Sequence, residues 1–68
     1  MSTFDNGPLR QALQSRGWTM TDLAREVGVD YSMVARVMYG ERRFGPKNAV
    51  IAARALDRPV GALFTLEP

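Results

Sequence analysis

The stretch from Thr19 to Gly40, TMTDLAREVGVDYSMVARVMYG, constrains the fold most. Thr19 followed three residues later by Asp22 predicts a capping box, which satisfies two backbone N–H groups that a helix start otherwise orphans. Trp18 before the cap and Leu23 at the fourth helical position form the two halves of a hydrophobic staple. That favours a core role for Trp18 over a dimer contact or a base-stacking platform. Ala24 and Val27 continue the inner face, and Gly28 suits the left-handed conformation that ends a helix. Asp30 can cap a second helix directly afterwards. On it Val34, Val37 and Met38 fall at i, i+3 and i+4, which makes one face apolar. Ser32, Arg36 and Tyr39 fall opposite, and Gly40 is a natural stop. The spacing predicts two short helices, residues 20–27 and 31–39, crossing closely at the small Ala24.

The remaining chain supplies helices on either side. Asn6 or Gly7 caps a first helix over residues 8–16, with Pro8 in its first turn and Leu9, Ala12 and Leu13 as its apolar stripe. Gly17 ends it. After Gly40 comes the loop GERRFG, in which Phe44 anchors on the core while Arg42 and Arg43 point outward. Pro46 opens a helix over residues 46–56, PKNAVIAARAL. Its expected inner face is a wide stripe of Val50, Ala53 and Leu56 with Ile51 and Ala55. Asp57-Arg58-Pro59 reads as a turn, and Val60, Leu63 and Phe64 as a last short helix over residues 60–65. Residues 1–5 and 66–68 read as flexible tails. No segment alternates with a period of two. The expected fold is all-α, five helices around one core, in one domain spanning residues 1–68.

Charge and composition narrow the function. Residues 1–35 carry three Arg against four acids, whereas residues 36–68 carry five Arg and one Lys against three. Arg36, Arg42, Arg43 and Lys47 lie together with only Glu41 against them, a local electrostatic footprint for phosphates. The chain has no His and no Cys. Triads, thiol nucleophiles and thiolate metal sites are therefore excluded. Asp22 and Glu26 form a carboxylate pair at i, i+4, but Arg25 stands beside them, so no enzyme is expected. Neither a metal nor a cofactor is called for. No run of roughly 18 apolar residues suggests a membrane span, and no signal-peptide pattern appears. The expected location is the bacterial cytoplasm.

Two helices joined by a tight turn beside a basic loop point to a helix-turn-helix, whose second helix enters the major groove of duplex DNA. On that geometry Tyr31, Ser32, Met33 and Arg36 read bases. Arg36 can fork onto guanine O6 and N7 together, and Ser32 can give or accept one hydrogen bond. Met33 either packs on a thymine methyl or touches the core edge. Thr19, Thr21, Tyr39, Arg42, Arg43, Lys47 and Asn48 form the phosphate-positioning set, which carries affinity and register rather than sequence. Lys47 and Asn48 sit at a helix N-terminus, where backbone N–H groups also favour an anion. Arg10, Arg16, Arg25, Arg54 and Arg58 read as surface ion pairs or solvated charge.

Thr19, Leu23, Ala24, Gly28, Val29, Val34 and Gly40 together resemble the Cro/C1-type helix-turn-helix family, the lambda-repressor-like domains. The resemblance covers roughly residues 8–66. One position departs: the family often has Gln at the first residue of the first motif helix, where it touches a phosphate, and this chain has Met20. The resemblance implies a sequence-specific regulator similar to small phage and mobile-element repressors, whether Cro-like, Ner-like or anti-CRISPR-associated autorepressors. PKNAVIAARAL is most similar to the Ner-like group.

A single module buries roughly 600–1,000 Å² on DNA, so a homodimer on a palindromic operator is expected. Leu63, Phe64, Leu66 and Pro68 form the candidate self-association surface, unless they merely close the core. The rival reading is an antitoxin that also represses its own operon. Antitoxins of this fold usually add a segment that wraps a toxin, and only the two short tails are spare for that here.

Overall fold

The computed structural model describes residues 6–64. Five helices follow in order: α1 (Gly7–Arg16), α2 (Met20–Val27), α3 (Tyr31–Met38), α4 (Pro46–Leu56) and α5 (Val60–Leu63). No strand occurs among the described residues. The expected tails at 1–5 and 66–68 lie outside the described residues.

Each helix starts and stops for a local reason. Asn6, rather than Gly7, caps α1, and its Oδ1 accepts from the Leu9 N–H at 3.0 Å. The full capping box forms on α2. Thr19 Oγ1 accepts from the Asp22 N–H at 3.2 Å. Asp22 Oδ2 accepts from the Thr19 N–H at 2.8 Å. Gly28 ends α2 at φ 85°, a left-handed value that a side chain would strain. Asp57 ends α4 at φ 55°, one of the few non-glycine residue types that tolerates this region.

Leu9, Leu13, Leu23, Ala24, Val27, Val34, Val37, Met38, Phe44, Leu56 and Leu63 pack into one core, and every buried side chain among the described residues is apolar. α2 packs most extensively against α3 and also packs against α4. Ala24, expected at the close crossing, is 5% exposed in the core. Phe44 is buried and meets Phe64 edge to face, with ring centroids 5.5 Å apart, so the basic loop is pinned at its aromatic residue. Trp18 packs against the core beside its staple position, and the Arg16 guanidinium lies 5.6 Å above its ring.

Three expectations are corrected. The buried face of α4 is Ala49, Ala52, Ala53 and Leu56, and Val50 is 43% exposed. α4 is packed by α1, α2 and α5; methyl-sized side chains let helices approach closely, and Val50 lies about 100° around the helix from Ala49. Leu63 does not offer a self-association surface, because it is buried in the core; Phe64 is half-buried against Phe44. Leu66 and Pro68 lie outside the described residues. Asp30 occupies the N-cap position of α3 but makes no side-chain capping bond.

Candidate nucleic-acid interface

α3 is held by its apolar stripe and presents the rest. Val34, Val37 and Met38 are buried against α2 and α1. This turns Tyr31, Ser32 and Arg36 outward, all exposed, with Tyr31 at 52%. Met33 lies between the two environments: half-buried, it packs on the core edge and also borders the outer face.

An open hollow of about 210 Å³ forms on this side, lined by Asp30, Ser32, Met33, Arg36 and Arg42. Three of the four base-reading candidates thus converge with an arginine from the loop. The fourth, Tyr31, is exposed but does not line the hollow. Arg42 was grouped with the phosphate contacts on sequence grounds, and the loop brings it beside Arg36.

The positioning candidates differ in exposure. Thr21, Arg43 and Lys47 are exposed, and Asn48 is half-buried. At the start of α4, Gly45 offers no side-chain cap and Pro46 has no N–H. The backbone N–H groups of Lys47 and Asn48 belong to the first turn, whose donors find no partner inside the helix. Thr19 is differently placed. Its N–H and its hydroxyl both donate to Asp22 Oδ2, the latter at 3.1 Å. Its two donors therefore serve the helix cap. Those bonds, the backbone one first, hold the Asp22 carboxyl below its ordinary pKa; burial opposes them slightly and Arg25 adds to them. Met20, at the position of the family's usual Gln, packs against the core.

Two features escaped the sequence. Tyr39 is 42% exposed, and its ring lies 5.8 Å from the Arg10 guanidinium of α1. Arg10 is therefore stacked on Tyr39, a candidate phosphate contact, rather than simply solvated. Nothing in the spacing signals this, because the two residues meet only through packing. Asp30 also lines the hollow, where the sequence suggested only a cap.

These elements define a class: a helix-turn-helix domain whose second helix and following loop carry an exposed basic, hydrogen-bonding face. A profile of the helix-turn-helix family matches residues 9–63. Among solved structures, the restriction-modification controller protein C.AhdI from Aeromonas hydrophila is 32% identical, with a TM-score of 0.77, over 87% of this chain and 89% of that one. A search of curated proteins gives no match. The chain belongs to the helix-turn-helix family of the Cro/C1 type, and it is a DNA-binding transcriptional regulator. No helix among the described residues is long and apolar enough to cross a membrane.

Proposed function

We propose that this regulator represses transcription by occupying a palindromic operator as a homodimer, its own promoter among its targets, as small phage and mobile-element repressors do. The observation that carries the proposal is the hollow in which Ser32, Met33 and Arg36 of α3 meet Arg42 of the loop. α3 lies in the major groove with Arg36 on a guanine and Ser32 on a neighbouring base edge. Tyr31 flanks them and Met33 meets a thymine methyl. Arg42, Arg43, Lys47, Asn48, Thr21 and Tyr39 take phosphates on either side. Thr19 joins them only if its hydroxyl turns away from Asp22.

Size supports the dimer. A single small module buries roughly 600–1,000 Å² on DNA, and two copies on a two-fold site double that contact. A second reading has its own support. Likeness to a restriction-modification controller protein favours control of a restriction-modification operon over a phage promoter.

The test is footprinting on DNA upstream of the chain's own gene across a salt series. Binding should weaken with a log–log slope of about −0.9 per phosphate neutralised. Sedimentation should find two chains per protected site. A salt-insensitive affinity rejects the DNA reading, one chain per site rejects the dimer, and the protected promoter decides between the two operons. A stable toxin recovered by pull-down would move the reading to an antitoxin.

A further inference from the structure

Asp30 sits where an aspartate normally bonds the first turn of a helix. Its backbone adopts the N-cap conformation, φ −71° and ψ 151°, and its carbonyl accepts from the Met33 N–H at 3.0 Å. Its side chain makes no capping bond. The residue is exposed and lines the hollow shared by Ser32, Met33, Arg36 and Arg42. A carboxylate there is costly on any DNA, since it faces phosphates and the acceptor atoms of guanine and thymine. Only one chemistry in the major groove rewards it, the exocyclic amino donors: N4 of cytosine and N6 of adenine.

We propose that Asp30 is a specificity-determining residue that accepts from a base amino group in the major groove and rejects bases presenting an acceptor there. The proposal rests on the reading of α3 as the groove helix. Arg36 and Asp30 then divide the work. The arginine fork selects acceptors at one base pair, and the carboxylate selects a donor at the next. Repulsion matters as much as attraction, because discrimination is a difference of affinities. Asp30 lowers binding to wrong sequences while a single hydrogen bond supports the right one.

The experiment selects sites from a randomised duplex library with the wild-type chain, then measures wild type, Asp30→Ala, Asp30→Asn and Arg36→Ala on the selected site, its single-base variants and a random duplex. Both Asp30 variants should bind random duplex more tightly than wild type. Their preference should fall roughly 5- to 150-fold at one base pair, the range of one mismatched pair in a site. That pair should differ from the one relaxed by Arg36→Ala. Melting temperatures should match wild type, because no capping bond is lost. A drop in Asp30→Ala as large as that caused by Thr19→Ala would make Asp30 a cap and overturn the proposal. So would an equal change on selected and random duplex, or relaxation only at the pair that Arg36 reads. A wild type that selects no common sequence would overturn the groove reading as well. A wild type that selects one, with Asp30 variants of unchanged preference, would overturn this inference alone.

Discussion

The two helices of the motif are both eight residues long, yet their N-termini are treated in opposite ways. α2 starts with a closed circuit, Thr19 and Asp22 bonding each other in both directions. α3 starts with an aspartate whose side chain makes no bond to its own first turn. α2 uses its polar start in its own cap, while α3 leaves Asp30 exposed and without a capping bond. The α3 start is held by α2 all the same, because Val34, Val37 and Met38 are buried in the shared core. On the proposed function, one helix is scaffold and the other is tool.

The hardest way to break that comparison is to strike the contact both helices share. Ala24→Leu places three extra carbons where α2 crosses α3, and overpacking of this kind costs about 1–3 kcal/mol. For a domain this size each kcal/mol lowers the melting temperature by about 4–8 °C, so thermal unfolding should show a large loss. An unchanged transition would mean that Ala24 is not at a close crossing.

A change confined to the tool should leave the scaffold intact. Arg36→Ala should cost about 1–3 kcal/mol on the true operator and relax one base pair, with the melting temperature unmoved. Arg43→Ala, in the exposed loop, should weaken binding to every sequence alike and reduce the salt slope by about one. Competition with single-base operator variants separates the two. Even losses for Arg36→Ala, with altered base preference for Arg43→Ala, would remove α3 from the groove.

The caps themselves sharpen the contrast further. Thr19→Ala opens the capping box and should cost about 1 kcal/mol of folding stability. Asp30→Ala removes no capping bond and should stay within about 0.5 kcal/mol of wild type. Denaturant melts of the two variants side by side provide the measurement. Equal losses would make the two helix starts alike.

The smallest expected effect is on pH. The Asp22 carboxyl titrates below its ordinary value of 3.8 in the folded chain because it accepts from Thr19. A lowered pKa contributes stability that is present above the ordinary value and is lost as pH falls through the folded one. The gap in melting temperature between wild type and Asp22→Asn should therefore be widest above about pH 4 and close in stronger acid. A gap constant across that range would mean that the carboxylate charge plays no part in the cap.

Much of this protein is decided within four residues of chain, and that part was legible. Thr19 with Asp22, Gly28, the Val34-Val37-Met38 stripe and Pro46 each act on near neighbours, so their pattern alone placed α2, α3 and the start of α4. The exposed faces followed, because a helix with one stripe buried must turn Arg36 and Ser32 away from it. Other features depended on residues far apart in the chain. Asn6 was legible as a cap, but not as the residue whose Nδ2 donates to the Leu63 carbonyl at 2.7 Å while its N–H donates to that of Met38. The choice of Ala49 and Ala52 over Val50 for the inner face of α4 came from how closely neighbouring helices pack around it. The burial of Leu63, the stacking of Arg10 on Tyr39 and the meeting of Arg42 with Arg36 likewise arise only once the helices are docked. Asp30 marks the boundary. An aspartate before a helix is locally equipped to cap it, and only the folded surface shows that it makes no capping bond and lines the hollow with Arg36 and Arg42.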